Sequence, residues 1–167
     1  CALPILMNIM NGGAHAGNNL DIQEFMIAPV GAKSCAEAMK MSTEIVWCLR
    51  SILNKDGLSV SVGDEGGFAP DLASDEEALK YIARAVKEAG YTLGRDIKIA
   101  LDIAASEWFE NGIYRLPKRK ISYTADGLAD YIAGLAEKYE IYSIEDPMSE
   151  NDWEGFAKIT SKLSHLQ

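Results

Sequence analysis

Ile97-Lys98-Ile99-Ala100-Leu101-Asp102 is a short, nearly continuous apolar run that stops on a carboxylate, and Ile141-Tyr142-Ser143-Ile144-Glu145-Asp146 repeats the arrangement further along the chain. The first run, from Ile97 to Leu101, reads as a strand covered on both faces, and the second, from Ile141 to Ile144, as a further buried-looking strand. Between them, Thr124 to Tyr139 has helical spacing, with Leu128, Tyr131, Ile132 and Leu135 turned inward. A last helix carries Trp153, Phe156, Ile159 and Leu163 on its apolar face. Strands linked by amphipathic helices call for a parallel sheet with right-handed crossovers, so the expected fold class is α/β. A barrel and an open doubly wound sheet both satisfy that pattern. Carboxylates standing just past buried-looking strands favour the barrel, where chemistry gathers at the carboxyl ends of strands.

Upstream, Leu3 to Ile9 and Ile22 to Ile27 read as two early strands. They flank the turn-forming stretch Asn11-Gly12-Gly13-Ala14-His15-Ala16-Gly17-Asn18. A helix is expected from about Ser34 to Leu53, opened by the capping-box pair Ser34 and Glu37, with Ile45, Val46, Leu49, Ile52 and Leu53 along one face. A second glycine-rich loop, Val62-Gly63-Asp64-Glu65-Gly66-Gly67-Phe68-Ala69-Pro70, precedes another capping-box helix. Ser74 and Glu77 open that helix, Leu79, Ile82, Ala83 and Val86 form its stripe, and Gly90 is placed to end it.

The 167 residues suit one domain with a sizeable core, and a hydrophobic fraction of 48% is that of a globular chain rather than a disordered one. A net charge of −9 argues against nucleic acid as a partner. The only compact basic run, Lys118-Arg119-Lys120, reads as a solvated loop. No stretch of 18 apolar residues offers a membrane span. Three cysteines, Cys1, Cys35 and Cys48, are an odd count without zinc-like spacing. Cys35 and Cys48 fall on nearly opposite faces of one expected helix, where they cannot pair, so reduced thiols in a cytosolic protein are expected.

Asp102 and Glu145 are the strongest candidates for chemistry. Each would project from the rim of a dry core, and two such carboxylates brought close repel and raise each other's pKa unless a cation sits between them. Oxygen donors without neighbouring Cys or His suit Mg²⁺ or Mn²⁺ better than zinc. Capping of the following helices is the alternative use of the same residues. Asp146, preceding Pro147, is expected to cap or pair structurally. Glu65, with glycines beside it, could act as a general acid if burial or neighbouring charge raises its pKa, or could simply stand solvated in a turn that Asp64 closes. His15 in its glycine loop suits phosphate recognition or proton handling, against the alternative of a surface histidine. Of the neighbours Gln23 and Glu24, only one would face inward unless the strand ends or bulges there.

As an ordered set these motifs are specific. Asn11 to Asn19, Gln23-Glu24-Phe25-Met26-Ile27-Ala28-Pro29, Gly63 to Pro70, Ala100-Leu101-Asp102 and Ile144-Glu145-Asp146-Pro147 stand in the order and spacing of enolases. The chain resembles that family over essentially all of its length, bacterial members most closely. The resemblance implies part of an enolase-type (β/α)₈ barrel, roughly its first half, with residues 1–167 forming one portion of the catalytic barrel domain. It implies Mg²⁺-dependent, reversible dehydration of 2-phosphoglycerate to phosphoenolpyruvate. His15 would close over the phosphate end of the substrate. Gln23 and Glu24 would bind substrate and help the leaving group depart. Glu65 would give a proton to the departing hydroxyl, and Asp102 and Glu145 would be two of three metal ligands. Cytoplasmic location, with surface or secreted members known in the family, and a homodimer or larger assembly are implied with it.

The resemblance also places the third metal carboxylate, a lysine base, the phosphate-contacting arginine and serine, and a small N-terminal domain outside this stretch. Lys33, Lys80 and the other lysines match no catalytic position. These 167 residues by themselves are therefore expected to be inactive, with open strand edges that favour association. A non-catalytic protein-binding module, such as one that binds plasminogen, is the alternative. A superfamily member with another substrate fits the His15 loop and the Glu65 loop less well.

Overall fold

The computed structural model describes residues 5–167. Cys1, and Leu3 and Pro4 of the expected first strand, lie outside the described residues. Four strands form one sheet in the order β1 (Met7–Asn11), β2 (Glu24–Ala28), β3 (Lys98–Asp102) and β7 (Ile141–Glu145). Among the described residues the first begins at Met7, leaving Ile5 and Leu6 outside it, and the second begins at Glu24 instead of Ile22. The helices are α1 (Cys35–Lys55), α2 (Asp75–Glu88), α3 (Ala125–Lys138) and α4 (Trp153–Lys162).

The sheet is mixed: the parallel arrangement expected of helix-linked strands holds for β3 and β7 but not for β2 and β3. β1 pairs antiparallel with β2, and β2 antiparallel with β3; only β3 and β7 run parallel. The reason lies in the connections. Two helices, α1 and α2, separate β2 from β3 and pack against each other. The first carries the chain to the opposite end and the second carries it back, so β3 starts where β2 stopped. The loop between α1 and α2 is thereby delivered to the end where β1, β3 and β7 finish. A single helix, α3, joins β3 to β7, and that crossover keeps them parallel.

The caps follow the sequence closely. Ser34 Oγ accepts from Glu37 N at 3.1 Å and Ser74 Oγ from Glu77 N at 3.1 Å. The returning carboxylates of the two boxes reach one residue before the cap, to Lys33 N and Ala73 N. Gly90, just past α2, adopts a φ of 88°, the left-handed conformation that ends helices. Ile45, Leu49, Ile52 and Leu53 of α1 and Leu79, Ile82 and Val86 of α2 are fully buried with Phe25, Ile27, Ile99 and Leu101 of the sheet. Cutting one such leucine to alanine costs about 2–5 kcal/mol.

Some inward assignments change. Val46, Ala83 and Tyr131 are half-buried, and Ala85 takes the buried place expected of Ala83. Trp153, expected on the inner face of the last helix, is 80% exposed. β3 is buried as expected of a strand covered on both faces, whereas β7, expected to be buried, is only partly covered. Beyond α4 the chain returns to β7, where Gln167 N donates to Tyr142 O and Gln167 O accepts from Ile144 N. Cys35 and Cys48 are both free thiols, as expected.

The stretch between β3 and α3 holds structure that the spacing arguments did not anticipate. A 3₁₀ turn over Ala105–Trp108 leads into a meander of β4 (Phe109–Glu110), β5 (Ile113–Leu116) and β6 (Ile121–Tyr123). Asn111 and Gly112, at φ 51° and 81°, make its first hairpin turn.

The basic run at its second turn is not a solvated loop, which corrects that expectation. Arg119 is 15% exposed and lies between Asp21 and Asp75, whose side chains are wholly buried. Its Nε donates to Asp21 Oδ2 at 3.1 Å, and its Nη2 approaches Asp75 Oδ2 at 2.8 Å as an ion pair without an aligned hydrogen bond. Burial pushes the Asp75 carboxyl up and the Arg119 charge pulls it back. Among the described residues, no helix is long and apolar enough to cross a membrane.

Candidate functional site

Strand register draws four polar side chains into one row across the sheet. Asn11 stands opposite Glu24, Glu24 opposite Asp102, and Asp102 opposite Glu145. Neighbouring strands lie about 5 Å apart, so the row is a continuous polar edge to an apolar sheet. Asn11, Asp102 and Glu145 terminate strands that run toward this end; Glu24 opens the strand that runs away from it.

The loop between α1 and α2 brings Glu65 to the row. Its segment docks along β1, with Phe68 N donating to Ile9 O at 3.0 Å and Asn11 N to Phe68 O at 2.9 Å. Glycine is required at position 67, because a Cβ there would lie 2.6 Å from Met10 N. The approach lets Gly67 N donate to Asn11 Oδ1 at 2.7 Å while Asn11 Nδ2 donates to Glu65 Oε2 at 2.9 Å. Fully buried Asn11 therefore sets the position of Glu65. Its place in the first glycine-rich motif does not by itself reveal that role. The cue that picked out Asp102 and Glu145, a polar residue ending an apolar strand, applies to it equally.

The other oxygen of Glu65, Oε1, lies 2.6 Å from Nδ1 of His15, which sits in a 3₁₀ turn over Gly13–His15. That hydrogen bond, together with the Glu65 charge, raises the His15 pKa. Glu24 faces Glu65, and its pKa is pushed up to about 7, first by burial, then by the neighbouring Glu65 carboxylate, with Asp102 and Glu145 adding to it. A carboxyl group raised in this way can hold and release a proton near neutrality.

Gln23, immediately before β2, donates through Nε2 to Asp102 Oδ2 at 3.2 Å. The strand begins at Glu24, and the pleat does not force the two neighbours apart: both side chains serve the row. Asp102 Oδ1 accepts from Ala104 N at 3.0 Å in a local turn, without capping the 3₁₀ turn that follows, while Oδ2 faces Gln23. Burial and then the Glu145 charge raise the Asp102 pKa. Glu145 is exposed. Asp146 contributes through its backbone, at φ 44° and with its carbonyl accepting from Ala105 N at 3.0 Å, where a side-chain cap or pair was expected.

The structure thus brings His15, Gln23, Glu24, Glu65, Asp102 and Glu145 to one end of the sheet. Neighbouring carboxylates that offer only oxygen match a hard divalent cation, whose charge would offset the burial and the mutual repulsion that raise Glu24 and Asp102. Among the described residues no group of three His, Cys, Asp or Glu side chains is close enough to enclose a metal by itself. The ion pairs of Lys40, Lys80, Lys138, Lys158 and Lys162 are formed on helix surfaces, away from this row.

The described strands form an open sheet with no closed barrel among them. A model of the enolase C-terminal TIM barrel domain nonetheless matches residues 1–167, without itself assigning the chain to the barrel's first half. On the strength of that match, covering the whole of the α/β chain whose motifs meet at this polar row, the protein belongs to the enolase family.

Proposed function

We propose that the full-length protein carries out the reversible, Mg²⁺-dependent dehydration of 2-phosphoglycerate to phosphoenolpyruvate. The observation that carries this reading is the row itself: an acid poised near neutrality, Glu24, facing Glu65, beside an oxygen-donor pair, Asp102 with Glu145. Asp102 and Glu145 would hold the cation. When bound, it would supply positive charge to the carboxylate end of the substrate as negative charge develops there.

The chain's own residues divide the remaining work. Glu65, steadied by Asn11, is the proton donor to the departing hydroxyl, and Glu24 shares and replenishes that proton. Gln23 orients Asp102 through its amide. His15, raised in pKa and exposed, is the group available to meet a phosphate. A cytoplasmic homodimer or larger assembly belongs to the same reading.

The test is a direct assay of phosphoenolpyruvate formation by the full-length protein. Activity should appear with Mg²⁺, vanish on chelation and return when the metal is restored. A full-length protein that is folded and metal-replete yet forms no phosphoenolpyruvate would refute the proposal.

A further inference from the structure

We propose that Lys118 is a positioning residue that holds the His15 loop in place from the meander, an inference that rests on the roles given above to His15 and Glu65. The loop needs an outside anchor. Ala14, His15 and Gly17 are exposed, and no heavy atom lies within 4 Å of where a Gly17 side chain would begin. With only the small side chains of Ala14 and half-buried Ala16 to offer, the segment depends mainly on polar bonds for its position.

Those bonds can be traced. At one end His15 meets Glu65. At the other, Asn18 Nδ2 donates to Asn11 O at 2.8 Å and to Pro70 O at 3.0 Å. Between them, Lys118 Nζ donates to Ala16 O at 2.8 Å, across 102 positions of sequence. A cationic donor makes this a charge-assisted bond, stronger than a neutral one.

A free lysine would prefer water, but this one is delivered by a fixed backbone. Lys118 N and Arg119 N donate to the two oxygens of buried Asp21, at 2.9 and 3.1 Å. Asp21 N and Ile22 N in turn donate to Asp75 Oδ1, at 2.9 and 3.2 Å. The turn therefore grips residues 16–21 at both ends, through the Ala16 carbonyl and through the Asp21 carboxylate. That segment is what joins His15 to Gln23 and Glu24, so the buried ion cluster and the polar row are mechanically connected through it. The basic run acts on the site without touching substrate.

The test replaces Lys118 by Met, which keeps the apolar stem and removes the donor, with Lys118→Arg as the matched variant. The decisive measurement is the His15 ring titration followed by NMR in the full-length protein, its signal assigned by loss in His15→Gln. His15 faces Glu65, Asp64 and Glu24, and only a loop held in register keeps it against them. In Lys118→Met the midpoint should fall toward that of an ordinary histidine, and Lys118→Arg should restore it. Turnover of 2-phosphoglycerate should show kcat/KM reduced about tenfold, carried mainly by KM. If Lys118→Met does not fold, Lys118→Gln is measured in its place. A His15 midpoint unchanged from wild type overturns the inference. A wild-type protein without activity overturns the functional proposal alone, because the NMR measurement needs no turnover.

Discussion

Two charged regions of this molecule are built by opposite rules. Around Arg119, two carboxylates are wholly buried, yet each is answered: Asp21 by two backbone N–H groups and the guanidinium, Asp75 by two more, Tyr131 Oη and the same guanidinium. Along the sheet end, Glu24, Glu65, Asp102 and Glu145 are less deeply placed, and among the described residues only His15, at one extremity, pairs with them as a basic side chain. Burying an unpaired charge costs several kcal/mol, so a region whose task is only to hold the chain together contains both signs. The region left unbalanced is the one fitted to receive charge from outside.

The largest test of that contrast is on activity. Glu65→Gln keeps the bond from Asn11 but removes the acid, and kcat of the full-length protein should fall by about 10²–10⁴, with the unfolding midpoint nearly unmoved. Arg119→Met should do the reverse in a denaturant titration. It strands two buried carboxylates, at a cost of about 3–5 kcal/mol in stability. If either substitution gave the other's signature, the division between a structural and a working cluster would fail.

A smaller effect should follow pH. Glu24 titrates near 7 in the folded protein, above its ordinary value of 4.5, so the folded state binds the proton more tightly than the unfolded chain does. Its contribution is fully present below pH 4.5 and is lost as pH rises through about 7. Allowing for its partial exposure, the loss is about 1–2 kcal/mol. Melts of wild type and Glu24→Gln across that window, with chelator present, should converge at the acid end and separate by this amount at the alkaline end, the variant being the more stable. Parallel curves would show that Glu24 carries no such burden. The smallest effect is expected at Trp153, where replacement by Ala should change stability by less than about 0.5 kcal/mol, because the ring stands in solvent at the start of α4.

Legibility differed along the chain for physical reasons. Helices α1, α2 and α3 could be read almost to the residue because Ser34, Ser74 and Thr124 are local caps, each bonding the amide three positions on. The meander was missed although Asn111-Gly112 is a strong hairpin signal and Tyr114, Arg115 and Leu116 alternate between buried and exposed. Its strands are too short for periodicity to stand out. Trp153 was misplaced because an aromatic residue at helical spacing looks buried until a neighbour is found to be missing. Lys118-Arg119-Lys120 looked solvated because the carboxylates that answer it lie almost a hundred residues earlier, or, for Asp75, in the start of another helix.

The residue types of the polar row, their placement at strand ends, the glycines that admit Glu65 and the α/β class all follow from the order of amino acids, since each depends on near neighbours. What the folded molecule alone decided is which of these groups meet: that Asn11 carries Glu65, that Gln23 and Glu24 both serve the row, and that Lys118 reaches Ala16. Those meetings depend on register between strands and on two helices turning the chain back on itself. Both are set by the burial of distant apolar faces against one another, which no local pattern contains.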